Sequence, residues 1–238
     1  MSELTNFTTH RRGFLGRVAA AAAACSLGGL GSLVAPTASA AAAREPEAAP
    51  HATPSPNAEF EAWLNKIAGK HKMLFDVPEP NEGFAFAWAR VFLDTTNEAY
   101  GTTDAQNSVV IVLRHSGIPY GIQTPMWAKY KFGTEFKIDD PATSGRAVRH
   151  PLMNLKPGDV PIPGMGVDEL LAKGALVGVC NIALTFNSRR IARETGMQAD
   201  AIKQEWVANL IPGVQVLPSG VIAVNRAQEK GCAYCFAG

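Results

Sequence analysis

The residues best suited to chemistry are the cysteines, and one of them stands where a fold can use it. Cys180 closes the run Leu176-Val177-Gly178-Val179-Cys180-Asn181-Ile182-Ala183-Leu184. That run is apolar on both faces and too short for a helix of its own, which predicts a fully buried parallel strand over 176–184. Ligands and reactions gather beyond the carboxyl ends of such strands, so Cys180 and Asn181 are candidate catalytic residues. A nucleophilic or sulfur-carrying cysteine works as the thiolate and needs a helix N-terminus or a nearby cation. A helix predicted from Ser188 to Thr195, with Arg189 and Arg190, would supply that positive potential. His115, in the polar loop Arg114-His115-Ser116-Gly117-Ile118-Pro119-Tyr120-Gly121, is a candidate base beside Ser116 or Tyr120.

Cys232 and Cys235 form a C-x-x-C pair. On an extended strand three residues span roughly 10 Å and the two side chains face opposite ways, whereas a disulfide needs Cα atoms within about 7 Å. Structural cysteine is therefore the favoured reading, with a bridge from one of them to Cys180 open if their strands are neighbours. Phe236 stands where a covalent haem motif requires histidine. Cys180, Cys232 and Cys235, with His115 and His150, are ligands that a fold could gather around copper or zinc, although no local spacing supports a metal ion. No cofactor is evident: the chain has no dinucleotide fingerprint, phosphate loop or nucleophile elbow.

These residues need elements to position them. Asn57 caps a helix to about Ile67, whose Phe60, Trp63, Leu64 and Ile67 form one stripe. His71 to Val77 reads as a first strand, stopped by Pro78. Gly83 to Tyr100 is a long helix expected to dock through Phe84, Trp88 and Phe92. Ser108 to Leu113 is a central buried strand. Pro125 to Tyr130 makes a helical turn, and Trp127, in irregular sequence, is expected at an interface. Lys131 to Gly166 then runs 36 residues with five Pro and five Gly and no periodicity. Insertions of that length are lids, binding loops, subunit arms or plain decoration. A short helix from Asp168, one from Asp200, a strand over Val214–Leu217, a helix over Val221–Lys230 and a strand over Cys232–Phe236 complete the series. Alternating strands and helices give a single three-layer α/β domain over 58–238 with a mainly parallel, about five-stranded sheet.

The N-terminal 40 residues read differently. Arg11-Arg12-Gly13-Phe14-Leu15, the Ala/Gly-rich segment from Val18 to Val34, and Ala38-Ser39-Ala40 resemble a twin-arginine export signal cleaved near Ala40. Residues 41–57 are an Ala/Pro-rich linker of disordered composition. The expectation is a periplasmic or otherwise exported protein, handled by the twin-arginine machinery and without a membrane anchor after cleavage. Cleavage takes away Arg11, Arg12, Arg17 and Glu3 and turns the formal net charge of +1 into −1. That balance, without a basic run, argues against nucleic acid as a partner. Cys25 leaves as well, and three cysteines are an odd count for an oxidising compartment.

Val177-Gly178-Val179-Cys180-Asn181, then Ile211-Pro212-Gly213-Val214-Gln215-Val216-Leu217-Pro218-Ser219-Gly220-Val221, then Ala227-Gln228-Glu229-Lys230-Gly231-Cys232-Ala233-Tyr234 resemble the DsrE/DsrF-like family. The likeness is strongest over 175–235 and extends by order of elements to about His71. It implies a five-stranded, mainly parallel α/β fold, homo-oligomers that are commonly trimers or hexamers, and a sulfur relay in which a cysteine, here Cys180, carries persulfide sulfur. The expected function is sulfur carriage or thiol redox through Cys180. The alternative is a non-enzymatic oligomeric binding protein for a small ligand or metal.

Overall fold

The computed structural model describes residues 57–238. The export signal and all but the last residue of the Ala/Pro linker lie outside the described residues. Five strands among these residues form one sheet: β1 (His71–Val77), β2 (Asn107–Leu113), β3 (Leu176–Cys180), β4 (Gln215–Leu217) and β5 (Ala233–Phe236). Their order is β4-β3-β2-β1-β5, and every neighbouring pair is parallel. All seven residues of β2 are buried, as befits a central strand of β-branched residues covered on both faces.

Among the described residues eight α-helices cover the sheet: α1 (Ala58–Leu64), α2 (Phe84–Tyr100), α3 (Thr124–Lys129), α4 (Phe132–Glu135), α5 (Val167–Ala172), α6 (Asn181–Thr195), α7 (Ala199–Ala208) and α8 (Gly220–Glu229). Strand residues alternate between two apolar layers. Val109, Ile111 and Leu113 face the layer shared with α2 to α7. Val110 and Val112 face a smaller layer with Phe60, Trp63 and Leu64 of α1 and Ala223 and Ala227 of α8. The placement follows from chain direction. β1, β2, β3 and β4 are laid down stepwise one way, and their crossover helices share one face. The connection from β4 to β5 runs back across the whole sheet. A right-handed crossover in the reverse direction must pass over the opposite face, and α8 does so.

Three expectations are corrected by the packing, and the open reading of the insertion is narrowed. The strand over 176–184 stops at Cys180, and Asn181 to Leu184 open α6 instead. Ala183, Leu184, Ser188 and Ile191 are its buried residues, a helical stripe that a short apolar run conceals. In α2 the docked residues are Phe86, Ala89 and Leu93, while Phe84 and Trp88 are 43% and 38% exposed. Burying Phe86 and Leu93 contributes roughly 1.5–3 kcal/mol each. The alanines at 85, 87 and 89 let the helix lie close on the sheet, which turns the aromatic stripe outward. Trp127 is fully buried, with its indole N–H donating to the Ile122 carbonyl at 3.0 Å. The 131–166 insertion is no free arm. Phe132, Phe136, Ile138, Ala147, Leu152 and Met165 are all buried in the core. A Cβ at Gly133 would stand 2.3 Å from the Ala147 carbonyl oxygen, so only glycine allows the start of this excursion to pack against its middle.

Candidate functional site

The helix that follows β3 covers one face of the sheet and the helix that follows β4 covers the other. Ligand crevices of parallel sheets open between strands of that kind, beyond their carboxyl ends. Two helix starts flank this crevice. Cys180 caps α6, its Sγ accepting the Ala183 N–H at 3.3 Å, and Ser219 caps α8, its Oγ accepting the Ile222 N–H at 3.2 Å. Helix N-termini offer partial positive charge and free N–H groups to an anion. Cys180 is buried, 6% exposed.

A full cation lies within electrostatic reach of the sulfur. The register pairs Leu113 of β2 with Val179 of β3, which sets Arg114 and Cys180 at the next step of adjacent strands. Each lies in the other's electrostatic field, and Cys180 is one of the groups that help hold the Arg114 guanidinium charged. The largest such influence is Asp76, near the end of β1. Its carboxylate takes two bonds from Arg114, Nε to Oδ1 at 2.6 Å and a terminal amine to Oδ2 at 2.9 Å. Tyr234 of β5 donates its hydroxyl to the same Oδ2 at 2.9 Å. Burial and that hydrogen bond push the Tyr234 phenol up from its ordinary range. Asp76 is 2% exposed, and a buried carboxylate is tolerable only with such partners. The stem of Arg114 lies on Gly220 at the start of α8, where a Cβ would stand 2.7 Å from the arginine Cβ. Asp76 of β1 thus joins the arginine that follows β2 to the tyrosine of β5 in one hydrogen-bonded group.

Asn181 begins α6, and its carbonyl accepts the Thr185 hydroxyl at 2.9 Å. His115 is exposed, in a left-handed backbone conformation (φ 48°), with Nδ1 3.2 Å from the Ser116 hydroxyl. Its carbonyl accepts the Asn187 amide of α6 at 3.0 Å, which ties this loop to the helix that Cys180 caps. Arg189 and Arg190 do not serve the sulfur. Arg190 lies nine residues into α6, roughly 13 Å along its axis, and pairs with Glu135 over the Phe136 ring. Arg114 supplies the cation instead.

Cys180, Cys232 and Cys235 are all free thiols. Two strands separate β3 from β5, a distance of roughly 14 Å, so the bridge to Cys180 that neighbouring strands would allow is not made. Cys232 packs in the layer of α1 and α8 and Cys235 against the opposite layer, as extended chain requires. Burial pushes both of these thiols up. Among the described residues no three or more histidines, cysteines or acids are gathered where a metal ion would sit. His150 is buried beneath the 118–121 turn. Its Nδ1 accepts the Leu152 N–H at 3.1 Å and its Nε2 meets the Tyr120 carbonyl at 3.0 Å. Burial lowers its pKa to about 4, which fixes a neutral ring donating from Nε2.

A second concavity opens at the same end of the sheet, beyond β1 and β2. It measures about 880 Å³ and lies between the 79–84 turn, Ser116 and Tyr120, and the 131–166 insertion. Cys180 is not among its walls.

Sequence reading overlooked Asp76, Tyr234 and the part played by Arg114. The signal was present: Asp76 is the one charge inside Met73-Leu74-Phe75-Asp76-Val77, and Arg114 ends an unbroken buried run. A charge at the end of a buried strand calls for a partner of opposite sign.

No protein-family model matches this chain, and no curated protein matches it. Among solved structures it is similar to a protein of unknown function, MTH1491, from Methanobacterium thermoautotrophicum. The two are 17% identical with a TM-score of 0.34 over 70% of this chain and 99% of that one.

Proposed function

We propose that this is an exported DsrE-like protein that carries sulfur, or exchanges thiols, through Cys180. One observation carries the reading: Sγ receives a backbone N–H at the start of α6, with Arg114, which follows the adjacent strand, in electrostatic reach. A helix start and a cation are the setting in which reactive cysteines are found. In the relay step the Cys180 thiolate attacks the terminal sulfur of a donor persulfide, R–S–SH. A Cys180–S bond forms, the donor S–S bond breaks, and the products are the Cys180 perthiolate and the thiol R–SH. No electrons are gained or lost overall, and the perthiolate charge stays between Arg114 and the helix start. The burial of Cys180 limits attack to a slim donor.

Exposed Ile182 and Phe186 on α6, Val221 and Ile222 on α8, and Tyr234 and Phe236 on β5 share this end of the sheet. Apolar surface of that kind favours burial against a second copy, in keeping with a trimer or hexamer. Export rests on Arg11-Arg12 and Ala38-Ser39-Ala40. Among the described residues no helix is long and apolar enough to cross a membrane.

Iodoacetamide near neutral pH should label Cys180 in the native protein, and Cys180→Ser should abolish that labelling. A Cys180 that stays inert until the protein is denatured sinks the reading. The intact mass of protein taken from its own periplasm then reports the cleavage site and any single added sulfur. A second reading, an oligomeric binding protein without enzymatic activity, is favoured by the 880 Å³ cavity. It predicts ligand-dependent melting that survives Cys180→Ser.

A further inference from the structure

The cavity beside the crevice is built for something the thiol chemistry does not use. About 880 Å³ is the size of a small-molecule site. Phe84, Phe136, Ile138, Leu152 and Met165 give it apolar walls. Tyr120 is 1% exposed yet lines the space. Its ring is clamped by Phe86, Trp127 and His150. Its hydroxyl makes no hydrogen bond among the described residues and opens onto the cavity, where a guest can meet it. Burial and the Glu82 carboxylate push that phenol up, so the hydroxyl stands in the field of another wall residue.

Wall charge gives the ligand its sign. Glu135, Asp139 and Asp140 are answered by Arg190, Arg146 and Arg149. Glu79 and Glu82 make no ion pair among the described residues. Lys137 is the only cation in the wall. The backbone that carries Glu82 has a defined, unusual shape. Asn81 and Glu82 are fixed in the left-handed region (φ 39° and 51°), and Gly83 continues it at 78°. Lys137 and Ser144, across the cavity, are left-handed as well. Each such non-glycine residue costs about 1–3 kcal/mol. Packing over-determines the turn: a Cβ on Gly83 would stand 2.5 Å from the Leu152 side chain of the insertion.

We propose that this cavity binds a small organic cation, a primary ammonium group on an aromatic or aliphatic body. The ammonium donates to the Glu82 carboxylate and to the Tyr120 oxygen, which accepts, while the tyrosine proton is free for a second acceptor. The apolar body lies against Phe84 and Phe136, where an aromatic face also attracts the cation. Organic anions are disfavoured by Glu79 and Glu82. The site is independent of the reading of Cys180.

Phenethylamine is the probe, with 3-phenylpropionate as the matched anion, titrated calorimetrically into the full-length protein. The amine should bind at millimolar or lower concentration and the acid should not. Glu82→Gln and Tyr120→Phe should each weaken the amine about ten-fold or more, as loss of a charged or charge-assisted contact does. Tyr120→Phe should leave the melting temperature of the ligand-free protein unchanged or raise it, because the hydroxyl has no hydrogen bond to lose among the described residues. Cys180→Ser should bind the amine as the parent does. Equal binding of the acid, no binding of the amine, or unchanged affinity in Glu82→Gln would overturn the proposal. A failure here leaves the alkylation test of Cys180 untouched, and a failure there leaves this one.

Discussion

Cys180 and Tyr120 are buried to nearly the same degree, 6% and 1% exposed, at the same end of one sheet. Their polar atoms are treated differently. The Cys180 sulfur receives an N–H from its own helix, whereas the Tyr120 hydroxyl has no partner among the described residues. The crevice is therefore complete in itself and presents charge, while the cavity is complete only with a guest. Their construction differs in the same way. The crevice arises from strand ends and helix starts, which the sheet topology places automatically. The cavity depends on a turn and an insertion brought together by packing.

The comparison breaks hardest at Asp76. Asp76→Ala leaves Arg114 without its carboxylate in a half-buried site, and removing one partner of such a pair costs about 3–5 kcal/mol. Denaturant unfolding should show that loss, and native alkylation of Cys180 should slow as Arg114 moves. Phenethylamine affinity under native conditions should hold, since Asp76 is not in the cavity wall. Should the amine be lost with it, the two regions are one site.

His150 tests the other side. Its pKa falls from 6.5 to about 4 on folding, so the native ring is neutral and the unfolded ring takes up a proton first. The stability this supplies is present above pH 6.5 and is lost as pH falls through about 4. At 1.36 kcal/mol per unit the change is on the order of 3 kcal/mol. Unfolding free energy should decline over that window, and His150→Ala should flatten the decline. A slope unchanged in the variant would mean other groups carry it.

Gly220→Ala is a smaller perturbation aimed at the crevice alone. The new methyl meets the Arg114 stem at 2.7 Å, and overpacking of that kind costs roughly 1–3 kcal/mol. Alkylation of Cys180 should slow without any change at the cavity. The smallest effect is expected from the other thiols. Burial pushes Cys232 and Cys235 up, so labelling of the Cys180→Ser protein should be slow near neutral pH and rise as the solution is made alkaline. Fast labelling of Cys235 at neutral pH would remove the contrast on which the choice of Cys180 rests.

Much of the fold was legible because its signals are local. The apolar run at 109–113 and the separation of Cys232 from Cys235 follow from strand periodicity, and the structure shows both. Helix–sheet alternation likewise anticipates the parallel sheet. What escaped was set by neighbours distant in sequence. Phe84 and Trp88 look like the docking stripe of α2, but the sheet accepts the slimmer face with Ala85, Phe86 and Ala89. Arg190 looks like the cation for Cys180 until the insertion offers it Glu135. Cys180 itself was readable as a strand end, while its role as a cap depended on α6 starting seven residues sooner than expected. Tyr120 sat in a loop that was singled out, yet its unpartnered hydroxyl belongs to three-dimensional packing and has no sequence signature.

The long return from β4 to β5 has a consequence for how the protein is made. β1 is paired on one side by β2, but its other edge waits for β5, and Tyr234 stands 158 residues beyond the Asp76 it clasps. At ribosomal speeds of about 5–20 residues per second that interval is roughly 8–30 s. For that time the edge carrying Met73-Leu74-Phe75 offers unpaired N–H and C=O groups beside apolar side chains, a template for pairing with another chain. Newly made copies are most at risk from one another before the final strand arrives. Slowing synthesis downstream of β2 should lower the yield of soluble protein more than slowing it upstream of β1.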